Sequence, residues 1–246
     1  MSISACADLV RRGDPDRFLA AMAAPPAARA ALFPIYAVNV EVARAPWVAS
    51  EPMIAEMRLQ WWRDALDEIS VGQTVRAHEV TTPLAEVLDA EGARLLDQLA
   101  QARRWDIYKD PFEDADHFAE YLDRTAGNLT WATARALGAT DEAAVRDIAW
   151  ASGLANWFLA IPELEARGRV PLVDGRETTV RDLAGQGLQR LKTRPSKAAK
   201  PALLATWRAK ALLTQAQRAP ALVAAGGLSQ SEFSRRFGLL RSSFTG

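Results

Sequence analysis

The chain has 246 residues, of which 49% are apolar and 24% charged, and thirty basic side chains balance thirty acidic ones. Those proportions fit a globular protein with a sizeable core and exclude an intrinsically disordered one. A formal charge of zero removes the whole-chain electrostatic case for nucleic acid, so none is expected as a partner.

In chain order, the opening run MSISACADLVRRGDPDRF lacks the long apolar segment of a secretory signal. It holds the single cysteine, Cys6, which cannot form an internal disulfide or a zinc cluster and reads as an inert or exposed thiol near the terminus. Asp14 and Pro15 mark the N-cap and first position of a helix running through FLAAMAA. Leu32, Tyr36, Val40 and Ala43 recur at spacings of three and four and predict the next helix. In SEPMIAEMRLQWWRDALDEIS, Ser50 is placed to cap, Pro52 sits in the first turn, and Met53, Met57, Trp61 and Ala65 form an apolar stripe opposite Asp64 and Asp67. Further helices are expected over 82–90, 92–107, 115–137, 141–163, 178–192, 200–217 and 230–242. Gly72, Gly138, Gly168 and the pair Gly226-Gly227 fall where helices end.

Alternating strand patterns are almost missing from the sequence, so an all-α bundle of nine or ten helices in one domain over residues 1–246 is expected. The basic, Pro-flanked stretch 192–201 is the most linker-like segment, placed before the C-terminal helices. No run reaches the ~20 apolar residues of a membrane span; the longest, 148–161, fits a buried helix. A soluble cytoplasmic protein is expected, and 25 arginines against five lysines suit a GC-rich bacterial genome.

Nucleotide loops, nucleophile elbows and thiol sites have no signature here. His78 and His117 lack metal-ligand spacing and are expected at the surface. The remaining candidates for chemistry are carboxylates and arginines on helices. Eight tryptophans are many for this length. Trp61, Trp62, Trp131, Trp150 and Trp157 sit on helices expected to be central, where they either fill core or line a pocket for a long apolar ligand.

The segment NWFLAIPELEARGRVPL resembles the second aspartate-rich helix of the squalene/phytoene synthases, which reads roughly N-x-L-R-D-x-x-E-D-x-x-x-G-R-x-x-L-P. Asn156, Glu163, Gly168, Arg169 and Leu172 match it without a gap. YLDRTAGNL is similar to the pattern Y-x-Y-x-V-A-G-x-V through Tyr121, Ala126 and Gly127. LFPIYAVNVEVARAPW resembles the first motif, Y-A-F-C-R-x-x-D-D-x-x-D, through Tyr36 and Ala37. The three segments keep the family's order over residues 32–172. The resemblance implies a helical isoprenoid-synthase-type bundle with a central cavity, with Tyr36, Arg44, Tyr121, Gly127, Asn156, Glu163 and Arg169 as candidate cavity or ligand-binding residues.

The departures matter more than the matches. In that register the aspartates of the first motif fall on Ala43, Arg44 and Trp47, and those of the second on Ala160 and Leu164; of the acidic set Glu163 is kept. The family condenses two prenyl diphosphates, with Mg²⁺ bridging the leaving group to carboxylates on facing helices. Mg²⁺ needs hard oxygen ligands in near-octahedral array. Alanine offers no oxygen and arginine repels the ion, so no catalytic set, no metal site and no cofactor is expected. Pro46 is expected to strain the helix near residue 42. A shifted acidic set, Glu41, Asp64, Asp67, Glu120 and Asp123, is the counter-reading, with solvation the default for each. Arg44 either crosses the vestigial site to pair with Glu163 or faces solvent.

Three functions stay open on this basis. The first is a non-catalytic protein of the branch similar to mitochondrial complex I assembly factors, acting through a protein partner or a membrane surface, at most peripheral to the inner membrane. The second is an active prenyltransferase with an altered Mg²⁺ site. The third is an isoprenoid or lipid binder without turnover, with Arg44 and nearby arginines facing phosphate.

Overall fold

The structure, a computed structural model, describes residues 3–48 and 51–245. Every regular element among the described residues is helical. The helices are α1 (Ile3–Gly13), α2 (Pro15–Ala23), α3 (Arg29–Val48), α4 (Pro52–Ser70), α5 (Thr81–Ala85), α6 (Ala90–Ala102), α7 (Ala115–Leu122), α8 (Asn128–Ala136), α9 (Glu142–Ala166), α10 (Glu177–Arg190), α11 (Lys200–Leu203), α12 (Ala209–Arg218), α13 (Ala221–Ala224) and α14 (Glu232–Thr245). No described helix is long and apolar enough to cross a membrane.

Two apolar cores organise the bundle. One gathers α1 to α6 around α3 and takes in α8, Ala199 and Ala202; the other packs α7, α10 and α12 on the C-terminal half of α9. Helix α3 is buried nearly all round between Ala31 and Val40, as a central helix must be. It runs unbroken through Pro34 and Pro46. The disturbance expected near residue 42 is therefore limited to one missing backbone donor close to the helix end.

Several expectations need correction. Helix α1 has no counterpart among the expected helices; Cys6, Leu9 and Val10 bury one face of it. Cys6 is fully buried, not exposed, with its thiol on the Glu79 carbonyl at 3.5 Å, and burial, then the Glu79 charge, raises its pKa to about 11. The N-terminal half of the expected α4 stripe is turned outward, with Met53 and Met57 72% and 67% exposed, while Ala65 is buried and Trp61 packs at the core edge; Ala55, Leu59, Trp62, Leu66 and Ile69 form the row that faces the core. This second row also has three- and four-residue spacing, and it carries the larger apolar area towards the C-terminal end of the helix. Asp64 and Asp67 are exposed as expected. Ser50 lies outside the described residues; Glu51 holds the N-cap position without a side-chain bond. His78 and His117 are half-buried rather than free, because each imidazole packs edge-on against aromatic rings, those of Trp61 and Trp62 for His78 and that of Phe112 for His117.

The helices expected over 115–137 and 200–217 are each interrupted. Between α7 and α8 the chain widens into a π-turn over Asp123–Gly127, where the Thr125 hydroxyl bonds back to the Tyr121 carbonyl at 2.6 Å. Between α11 and α12 a 3-10 turn at Leu204–Thr206 tightens the chain, with the Thr206 hydroxyl on the Leu203 carbonyl at 2.8 Å. Side-chain hydroxyls compete with the regular ladder at both places. The helix expected over 92–107 ends at Ala102 and passes into a 3-10 turn, Arg103–Asp106. The helix expected over 82–90 is the short α5. Segment 192–201 is a docked connection: both the backbone N–H and the hydroxyl of Ser196 donate to Asp141 at 2.6 Å, and Ala199 is fully buried.

Gly168 closes α9. Its φ is +74°, its N–H bonds the Glu165 carbonyl at 2.8 Å, and the Arg169 N–H reaches back to Leu164 at 3.0 Å. That pair of bonds is the Schellman arrangement, which needs a left-handed residue at this position. Nothing stands within 3.6 Å of a Cβ added there. The cost of Gly168→Ala is therefore conformational, and we expect a loss of about 1–2 kcal/mol in a denaturant titration.

Candidate functional site

A cavity of about 520 Å³ lies between the two cores. Helix α3 supplies Asn39, Ala43 and Trp47, a row at i, i+4 and i+8 that shares one helix face. Helix α9 supplies Ser152, Gly153, Asn156, Trp157, Ala160, Glu163 and Leu164. The π-turn brings Thr125 and Ala126, with Leu122 just before it and Leu129 just after. Here α9 comes in close: a Cβ on Gly153 would sit 2.7 Å from that of Ala126, so only glycine allows this approach. Asp14, Asp16 and Arg17 at the start of α2, Arg103 and Asp106 in the 3-10 turn, Ala205 and Arg208 before α12, and Arg167 complete the wall.

Each charged side chain lining the cavity has an opposite partner that also lines it. Arg17 holds Asp14, and Arg208 holds Asp16. Arg103 holds Asp106 at 3.0 Å, and Arg167 holds Glu163 at 2.8 Å. The Arg167–Glu163 pair stands at an open edge, with the Glu163 side chain 67% exposed. The Arg103–Asp106 pair is deep, with the Asp106 side chain only 3% exposed. Tyr121 joins it, donating to Asp106 Oδ1 at 2.8 Å and accepting from Arg103 at 2.8 Å. Burial, reinforced by Asp106, pushes the Tyr121 hydroxyl far above its ordinary pKa against the pull of Arg103, so the phenol keeps its proton. Burial opposes the Arg103 charge, but Tyr121 and Asp106 outweigh it and hold the guanidinium above its usual range.

The predicted residues divide between the cavity and its surroundings. Ala43, Trp47, Tyr121, Asn156, Ala160, Glu163 and Leu164 all line it. Arg44 does not: it turns to Glu41 at 3.2 Å, one turn back on its own helix, and Glu163 is held by Arg167. The expected Arg44–Glu163 pair is therefore not formed, because Arg44 is rotated about 100° from the Ala43–Trp47 row. Tyr36 is buried beside the site, with its hydroxyl on the Ala202 carbonyl at 3.4 Å. Gly127 packs under Asp123 and Arg146, off the lining. Arg169 is 7% exposed and lies 5.0 Å from the Trp47 ring and 5.5 Å from the Trp105 ring, with its Nη2 on the Asp106 carbonyl. It fixes the wall from behind. Trp62, Trp131 and Trp150 fill core and Trp61 stacks at its edge, which leaves Trp157 as the expected pocket tryptophan that lines the cavity.

The shifted acidic set does not assemble. Glu41 is with Arg44, Glu120 with Arg124 and Asp123 with Arg146, while Asp64 accepts from Gln60. Sequence reasoning missed Asp14, Asp16, Arg17, Arg208, Arg103, Asp106 and Asn39. Asn39 had a signal, as the one polar residue within the apolar run ALFPIYAVNV.

Residues 10–231 match the squalene/phytoene synthase family. The chain belongs to that family. Among solved structures, a ligand-bound dehydrosqualene synthase superposes with a TM-score of 0.70 at 14% identity, covering 98% of this chain and 94% of that one. A squalene synthase from Alicyclobacillus acidocaldarius gives a TM-score of 0.69 at 17% identity, over 88% and 93%. At such identities these two establish the shared fold. Among curated proteins, this squalene/phytoene synthase relative is similar to the assembly factor 6 homolog of NADH dehydrogenase (ubiquinone) complex I from Drosophila melanogaster. The match is 29% identical over 177 residues, 68% of this chain and 53% of that protein. Assembly factor 6 from Bos taurus is 25% identical over 180 residues, 67% and 51%. The chain spans about half the length of the curated relatives it matches.

The fold family implies Mg²⁺, and the donor set here does not fit it. Among the described residues no three His, Cys, Asp or Glu side chains come together to hold a metal. The four carboxylates of the cavity are each committed to a guanidinium. The facing positions 43, 47, 160 and 164 are Ala, Trp, Ala and Leu, which bring no carboxylate oxygen.

Proposed function

We propose that this protein is a non-catalytic member of the squalene/phytoene synthase family that works by binding, as an assembly-type factor for a respiratory complex, in the cytoplasm at or near the inner membrane. The observation that carries the reading is the pairing of every cavity carboxylate with an arginine. Bridging a diphosphate through Mg²⁺ requires free oxygens on two facing helices, and at those positions α3 presents the methyl of Ala43 and the indole of Trp47 and turns Arg44 back to Glu41. Similarity to complex I assembly factor 6 supports a protein partner.

The test is a turnover assay. Purified protein with farnesyl or geranylgeranyl diphosphate and Mg²⁺ is expected to release diphosphate no faster than a protein-free control. Release that disappears in Glu163→Ala would overturn the proposal in favour of a prenyltransferase with an altered metal site.

A further inference from the structure

We infer that the cavity takes an uncharged, largely apolar long-chain molecule with a single hydrogen-bonding head, met by the amides of Asn39 and Asn156, and that it rejects the diphosphate form of the same chain. This deepens the non-catalytic reading and rests on it.

The first observation is electrostatic. The cavity carries four positive and four negative side chains, joined as four pairs. A diphosphate entering it brings several negative charges and finds no uncommitted cation in the lining. To bind, it must pull an arginine from its carboxylate, and of the four carboxylates Asp16 alone keeps a second guanidinium among the described residues, that of Arg235. Such a rupture is strongly unfavourable where the pair is desolvated, and the Asp106 side chain is almost fully buried. An uncharged head pays no such penalty.

The second observation is Asn39. It is 6% exposed, it lines the cavity, and its amide has no hydrogen-bond partner among the described residues. The Asn39 amide is not among the buried polar atoms shut off from any partner, so it opens to the cavity and takes its hydrogen bonds from whatever fills that space. An amide offers both a donor and an acceptor, which suits a hydroxyl or a carbonyl. Asn156, which is exposed, and Ser152, which is half-buried, line the space from the facing helix with no side-chain partner among the described residues.

The third is the rest of the wall. Ala43, Leu129, Trp157, Ala160 and Leu164 give an apolar, partly aromatic surface, and about 520 Å³ is within the range of small-molecule pockets.

Geranylgeraniol and geranylgeranyl diphosphate make a matched pair of probes that differ only at the head. The whole protein is titrated with each, without added metal, and followed by tryptophan fluorescence, since Trp47 and Trp157 face the cavity. Geranylgeraniol is expected to bind at least ~10-fold more tightly than the diphosphate, and Asn39→Leu to weaken it by roughly 10-fold, the scale of one buried hydrogen bond. Should Asn39→Leu fail to fold, Ala160→Phe fills the space from a half-exposed position and is expected to abolish binding. Equal or tighter binding of the diphosphate would overturn the inference. So would binding of neither probe, which leaves the non-catalytic proposal standing. Diphosphate release in the turnover assay would instead sink the non-catalytic proposal whichever probe binds.

Discussion

Asp106→Ala is expected to destabilise the protein by about 3–5 kcal/mol in a urea titration, the typical cost of breaking a buried ion pair from one side. Asp106 is 2% exposed and satisfies two partners at once, Arg103 through Oδ2 and the Tyr121 hydroxyl through Oδ1. Removing it strands the Arg103 charge and leaves the Tyr121 hydroxyl without its acceptor. What Arg103 retains is the neutral Tyr121 hydroxyl at 2.8 Å, and its Nε already lacks a partner. Tyr121→Phe provides the comparison: it removes one hydroxyl and leaves the ion pair, and should cost about 0.5–1.5 kcal/mol. Equal losses for the two variants would show that the charge pair is not the dominant interaction.

Trp157→Ala has a comparable expected cost, about 3–5 kcal/mol, as for other large aromatic deletions in cores. Trp157 is 8% exposed and packs against Trp105, Phe112, Phe118 and Tyr121, with ring centroids 5.2–5.8 Å away. Its indole N–H donates to the Pro171 carbonyl at 2.8 Å and so ties the chain leaving α9 back onto that helix. Trp157→Phe keeps most of the packing and deletes that bond, so a loss of about 1 kcal/mol is expected. A Phe variant as unstable as the Ala variant would assign the effect to the hydrogen bond.

The parts of the site that share a helix with a motif were legible in the sequence. Ala43 and Trp47 lie four apart on α3, and Asn156, Ala160 and Glu163 follow the same repeat on α9, so a helical register places each set on one face. The same periodicity, applied one residue further, turns Arg44 away. The counter-ions were not legible. Asp16 meets Arg208 across 192 positions of sequence, and nothing local to either residue encodes that meeting. The π-turn escaped notice for a similar reason: it adds one residue to a turn, and the apolar pattern on both sides stays helical. The outward Met row of α4 shows the limit of periodicity itself. Two rows had acceptable spacing, and contact with α3 and α6 decided between them.

The position of Cys6 has a consequence for oxidation. A chain with one thiol can form a disulfide only with another molecule. Here that thiol is fully buried under α1 and held in its protonated form by its surroundings, and the thiolate is the species that exchanges. A covalent dimer or a glutathione adduct therefore requires α1 to lift off α3 first. Redox state is thereby uncoupled from quaternary state for as long as the N-terminal helix stays docked.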